Sequence, residues 1–163
     1  AFTHSYAYYA MVFAIISHAL AKAGLFLASG AIIHRARTKT ISELQGYASF
    51  TPVAVFAIGL SSVTLIGLPP SLGFVSKWYY LQSAFESSLW LFFGAVLSGG
   101  ILSALYLFKL LILLLQKPLQ ETKPPEEPKS KSSLNALEWC AFTLSALSVI
   151  GGFLSSFIIE LLG

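Results

Sequence analysis

The stretch Val63-Thr64-Leu65-Ile66-Gly67-Leu68-Pro69-Pro70-Ser71-Leu72-Gly73-Phe74-Val75-Ser76-Lys77-Trp78-Tyr79 decides how this chain folds. An apolar run reaches Gly67, is cut at Leu68-Pro69-Pro70, and restarts after Gly73 with one charge, Lys77. Two adjacent prolines remove two backbone N–H donors and clash with the preceding turn, so a helix cannot run through them. Inside hydrocarbon, broken backbone is tolerated only where protein or a water-filled cavity covers it. An ionisable side chain just beyond such a break is a functional-site hypothesis, and discontinuous helices of this kind are a transporter signature.

The surrounding composition places the stretch in a membrane. Of 163 residues, 56% are hydrophobic and 10% charged, and the mean hydropathy is +0.76. Soluble domains carry about 25% charged residues. The net charge of +3 comes without a Lys/Arg-rich block or an RNA-type motif, which excludes nucleic acid as a partner. Cys140 is the single cysteine. It sits in an apolar run and reads as a small buried hydrophobe, with no disulfide within the chain and no metal-ligand spacing.

The pattern predicts an all-α polytopic protein with four transmembrane helices, the second broken at Pro69-Pro70. Tyr6–Ile33 is the first span, long enough to cross a ~30 Å core. It holds His18 and Lys22, four apart and so on one helical face. Each has a plain alternative, a packed histidine bonded to a carbonyl or a snorkelling lysine stem, but together they suggest a buried polar track. Ala21, Ala23, Gly24, Ala28, Ser29 and Gly30 would let a neighbouring helix approach closely. A polar loop, His34–Phe50, follows, with a short amphipathic turn expected over Ile41–Gln45.

Pro52–Phe85 is the broken span, too long for the core if continuous. Trp78, Tyr79 and Tyr80 read as interfacial aromatics, which leaves a snorkelling Lys77 as the alternative to a functional one. Leu89–Gln116 is the third span, with a small-residue face at Ser98-Gly99-Gly100 and Ser103-Ala104. Lys109 shares a face with Tyr106 and is either functional or headgroup-seeking. The organisation is a three-span core over 1–116, a Pro/Lys/Glu linker over 117–133, and a final helix over 134–163, in which Glu138 and Glu160 read as interfacial. Arg35, Arg37 and Lys39 in the first loop, and Lys117, Lys123, Lys129 and Lys131 in the third, put both loops in the cytoplasm or matrix by the positive-inside rule.

Three motifs resemble one family. Ser17-His18-Ala19-Leu20-Ala21-Lys22-Ala23-Gly24-Leu25-Phe26-Leu27, the broken Gly67-Leu68-Pro69-Pro70-Ser71-Leu72-Gly73-Phe74-Val75-Ser76-Lys77, and Ser103-Ala104-Leu105-Tyr106-Leu107-Phe108-Lys109 are similar to the antiporter-like subunits of respiratory complex I and the related Mrp-type sodium/proton antiporters. The resemblance implies a proton-translocating, non-catalytic subunit, or a fragment of one, in an energy-transducing membrane: the bacterial or mitochondrial inner membrane. The alternatives are a gradient-driven Mrp subunit and a structural remnant kept for assembly.

It further implies ion-path roles for Lys77, Lys22 and His18, to which Lys109 is added as a candidate from its place within the third span, and a helix break at Gly67, Pro69, Pro70 and Gly73. Ala14 stands where many members carry a second histidine. The chain matches only the C-terminal part of the larger fold. Its expected partners are therefore other membrane subunits, including a chain supplying the missing N-terminal helices, and the lipid bilayer. No cofactor, metal or catalytic residue is expected.

Overall fold

The computed structural model describes residues 4–116 and 131–162. The linker cations Lys117, Lys123 and Lys129 lie outside the described residues, as do the side chains of His4 and Lys131. All regular structure among the described residues is helical: α1 (His4–Ala36), α2 (Pro52–Ile66), α3 (Leu72–Glu86), α4 (Trp90–Leu115), α5 (Lys131–Phe153) and α6 (Ser155–Leu162), with 3-10 turns at Ile41–Leu44 and Tyr47–Ser49. Three stretches are long and apolar enough to cross a membrane, Tyr6–Ala36, Trp90–Leu115 and Leu134–Phe153. The expected fourth-span helix is not continuous: it is interrupted at Leu154, between α5 and α6.

α1 is the spine. Its C-terminal half packs on α2 and α5, and its N-terminal half on α3. Gly24 shows how closely the first group sits: an added Cβ would lie 2.2 Å from Ser145 Oγ of α5 and 3.0 Å from Ser61 Oγ of α2. At the other end, Tyr79 stacks on Tyr6 and Phe13 with ring centroids 5.8 and 6.3 Å away, and Ser76 Oγ donates to Ala10 O. Tyr79 is therefore an internal packing residue, whereas the aromatic triplet had suggested an interfacial belt. Trp78 alone of the three is exposed.

α2 and α5 run parallel and are joined by hydroxyls. Ser61 and Ser145 are 2.8 Å apart, as are Thr64 and Ser148. Ser145 Oγ donates to Ala141 O and Ser148 Oγ to Ser145 O, so the α2 hydroxyls donate across the interface. Such bonds contribute about 0.6 kcal/mol each in a membrane interior.

One turn further on, α5 covers the break. A Cβ on Gly152 would lie 1.7 Å from Pro70 O, and one on Gly151 2.6 Å from Leu72 Cδ1. The bare backbone of α5 is thus what lets the unwound link lie against protein.

Two expectations change. Glu138 is buried within the helix packing. α5 begins at Lys131, so Glu138 lies beyond the first turn, is 6% exposed, and pairs with Arg35 Nη2 at 3.7 Å. Arg35 also donates to Phe50 O, tying the end of α1 to the loop before α2. Cys140 is exposed, not buried. α4 is the outlier of the fold, with only Leu107 and Leu114 buried.

Gly152→Ala should lower thermal stability in detergent or nanodiscs by about 1–3 kcal/mol, since the Pro70 carbonyl it meets is backbone and cannot swing away. Gly94→Ala, where an added Cβ meets nothing within 4 Å, should leave the melting temperature unchanged or slightly raised. Removing one partner of a buried ion pair costs about 3–5 kcal/mol. Arg35→Met, which leaves the buried Glu138 carboxylate without its cation, should therefore destabilise strongly, and Arg35→Met combined with Glu138→Leu much less, in the same thermal assay.

Candidate functional site: the α2–α3 link and its lysine

Every helix leaves its last four carbonyls without intrahelical donors. In α2 these belong to Val63, Thr64, Leu65 and Ile66. Gly67 adopts the left-handed conformation at φ 80°. That lets Leu68 N donate to Val63 O at 2.9 Å and Gly67 N to Thr64 O at 3.1 Å, the paired arrangement that closes many helices. In a continuing helix the donors for Leu65 and Ile66 would be the N–H groups of residues 69 and 70. Both residues are proline and have none.

Lys77 supplies the missing donors. Its Nζ lies 2.6 Å from Ile66 O and 3.4 Å from Leu65 O. Its stem threads a slot between two glycines. A Cβ on Gly67 would meet Lys77 Cδ at 2.5 Å, and one on Gly100 would sit 3.2 Å from Nζ. On the far side of the break, Ser71 caps α3, its Oγ accepting from Phe74 N at 3.2 Å. Gly73 passes so close to α2 that a Cβ would lie 1.9 Å from Thr64 O.

Lys77 faces a cavity of about 450 Å³ between α1, α2, α3 and α4, whose lining includes Ser17, His18, Lys22, Tyr80, Ser103 and Tyr106. The structure therefore brings together three of the four expected ion-path residues, His18, Lys22 and Lys77. Ala14, the position without the second histidine, lines the same cavity. Lys22 Nζ stands 5.8 Å from the Phe26 ring centroid, a cation–π distance. Lys109 is not in this cavity. It lines a separate groove with Phe108, Ile112 and Gln116.

Gly99, Gly100 and Ser103 of α4 line the cavity, so the small-residue face creates space where close helix packing was expected. The role of Gly100 was missed because its partner, Lys77, lies on another helix. Tyr80 was read only as an interfacial aromatic. The lining contains no Asp or Glu, and no cluster of three or more metal-ligating side chains occurs among the described residues.

The family described as NADH:quinone oxidoreductase/Mrp antiporter, TM, matches residues 1–103, which includes His18, Lys22 and the whole break. The chain belongs to this NADH:quinone oxidoreductase/Mrp antiporter family. Among its relatives, NADH-quinone oxidoreductase subunit N of Desulforudis audaxviator is 33% identical over 105 residues, covering 64% of this chain and 21% of that protein. NADH-quinone oxidoreductase subunit L of Rickettsia felis is 35% identical over 107 residues, covering 66% and 16%. Na(+)/H(+) antiporter subunit A1 of Staphylococcus aureus is 27% identical over 166 residues, covering 94% and 21%. The chain thus spans about a fifth of the length of these relatives. The antiporter-family resemblance of the motifs holds, and two of the three motifs fall inside the matched region.

Replacing Lys77 by Met removes both donors from the α2 carbonyls. A buried acceptor left without a partner costs about 1–3 kcal/mol. Amide hydrogen exchange at Gly67 and Leu68 should accelerate in Lys77→Met while that at Ile32, beyond the cavity-lining part of α1, stays unchanged. Unaltered exchange at Gly67 would show that the lysine does not hold this helix end.

Proposed function

We propose that this chain forms a segment of a transmembrane proton path in an antiporter-like subunit of a redox-driven complex of the NADH-quinone oxidoreductase type, and contributes no redox chemistry of its own. The observation that carries the reading is the Lys77 amine on the Ile66 carbonyl at 2.6 Å, at the mouth of a cavity it shares with His18 and Lys22. In this reading α2 and α3 are one discontinuous span, the second of four crossings. Their packing along the two halves of α1, antiparallel to it, supports that. The break then puts free backbone and a titratable amine inside the membrane, covered by α5 on one side and open to the cavity on the other.

Protons are exchanged among His18, Lys22 and Lys77 through water in the cavity. A cation arriving at Lys22 or His18 repels the proton on Lys77, and loss of that proton weakens the amine's hold on its carbonyls, because the neutral amine keeps N–H donors but loses its charge. Lys109 is the next station toward the end of α4, where Gln116 lies 3.5 Å from Gln45 of the first loop. That contact also supports placing the first and third loops on one side of an energy-transducing membrane, the cytoplasmic or matrix side, as their charges suggest. The exposed face of α4 is met by lipid and by helices of neighbouring subunits, including those that complete the antiporter-like unit.

A second reading, a segment of a gradient-driven Mrp-type antiporter, is favoured by one observation: the match to Na(+)/H(+) antiporter subunit A1 covers 94% of the chain, beyond the break and into the final helix. Co-purification with a flavin- or iron–sulfur-containing arm separates the two.

Under either reading Lys77→Arg should assemble normally but retain about a tenth or less of wild-type translocation, since guanidinium does not give up its proton. The measurement is ion translocation in vesicles containing the assembled complex. Near-normal translocation would mean that Lys77 only anchors the helix end.

A further inference from the structure

We infer that the cavity between α1, α2, α3 and α4 binds a free monovalent anion of the chloride class, held against the Lys22 amine and the His18 ring. The inference rests on the reading of this cavity as part of an ion path, and adds a counter-ion to it.

Charge balance is the starting point. The chain has no aspartate, and no glutamate lies within α1, α2 or α4. α3 carries one, Glu86, at its last residue. The helices around the cavity thus supply it with Lys22, Lys77 and His18 and with no carboxylate.

Ionisable groups inside a membrane pair with one another or with backbone carbonyls. Lys77 does so, its amine 2.6 Å from Ile66 O. Lys22 does not. Its described contact is with the Phe26 ring, 5.8 Å from the centroid. Neither Lys22 nor His18 has a hydrogen bond or an ion pair among the described residues. A buried ammonium without a counter-charge is costly, and an anion beside it removes that cost while leaving it protonated.

The remaining donors suit a small free ion. Tyr80 of α3 and Tyr106 of α4 line the cavity with Lys22 and His18 of α1, and neither tyrosine hydroxyl has a hydrogen-bond partner among the described residues. Donors contributed by three helices fit a spherical ion, which accepts from every direction. The cavity volume of about 450 Å³ leaves room for several waters beside it, at about 30 Å³ each.

The same surroundings set its charge and its place. Taking an ion out of water is expensive, and the cost grows with the square of the charge. With Lys77 already held by carbonyls, Lys22 and the imidazole balance one negative charge better than two. The α2 carbonyls and the negative end of that helix dipole repel an anion, so it sits toward α1. There it offsets the repulsion between Lys22 and Lys77 and lets both carry a proton at once.

The test uses the chain in its native membrane complex, solubilised and purified, and measures saturable binding of radiolabelled chloride at neutral pH in a gluconate buffer. Opposite charges in contact at a partly buried site are worth more than a factor of ten in affinity, so Lys22→Met should bind chloride at least about tenfold more weakly than wild type. Lys22→Arg, which keeps the charge, should retain the site. Lys39→Met, in the exposed first loop, should match wild type.

Solid-state NMR of the wild-type complex in lipid, with nitrogen-labelled lysine, reads the contact even where Lys22→Met does not assemble. The Lys22 amine signal should move when chloride is exchanged for gluconate. Chloride binding as tight in Lys22→Met as in wild type overturns the inference, as does an absence of saturable binding in wild type. A Lys22 signal indifferent to chloride also overturns it, and is the result expected if a carboxylate of a neighbouring subunit fills the place. The proton-path reading is judged separately by translocation in Lys77→Arg. Loss of translocation there with no chloride effect at Lys22 leaves that reading standing and removes this one.

Discussion

Two carbonyl oxygens, those of Leu65 and Ile66, set the terms for the rest of this structure. Their natural donors are absent because residues 69 and 70 are prolines. Left bare in a membrane, each would cost several kcal/mol. The chain meets this with one long side chain, eleven and twelve residues downstream, that reaches back across the break. Everything nearby then has a reason. Gly67 closes the other two carbonyls and clears the lysine stem. Gly100 clears the ammonium. Gly73 lets α3 start beside the end of α2, and Gly151 and Gly152 let α5 seal the link from behind. Gly67 and Gly100 are the two that make room for the lysine itself.

The same constraint joins architecture to chemistry. Arginine would cap the carbonyls well but hold its charge permanently. Lysine is the cationic side chain that can both donate to two carbonyls and lose a proton. In the proposed proton path the structural bond and the transport role therefore fall on one atom. On that proposal, a change in its protonation also changes how strongly it holds a helix end, so the electrostatic state of His18 and Lys22 would reach the backbone of α2 through a single contact.

Much of this was legible in the sequence, and the reasons differ from element to element. The end of α2 ahead of Pro69-Pro70 was legible because prolines act locally. The His18–Lys22 face was legible because both residues lie on one helix and helical periodicity is fixed. The chain's place in the antiporter family was legible because the Gly-Leu-Pro-Pro motif is a dense, local pattern. What could not be read depends on which helices meet. The Arg35–Glu138 pair, the Ser61–Ser145 and Thr64–Ser148 bonds, and the seating of Gly152 on Pro70 all join α5 to helices far away in sequence. Cys140 was misplaced for the same reason: an apolar run does not say which of its faces is turned inward. Lys109 and Tyr106 share a face by periodicity, yet only Tyr106 lines the cavity: beyond it Leu110 and Leu114 hold the inward side of α4, and Lys109 is exposed.

The central claim is that the Lys77 amine donates to the Ile66 carbonyl in the assembled membrane protein. Solid-state NMR of the complex in lipid, with isotopic labels on the Lys77 side-chain nitrogen and the Ile66 carbonyl carbon, measures that proximity directly through their dipolar coupling. The account predicts a strong coupling, consistent with the 2.6 Å nitrogen–oxygen distance, and the carbonyl shift of a hydrogen-bonded group. An uncoupled pair, with the Ile66 carbonyl shifted as a free or water-bonded group, would contradict it.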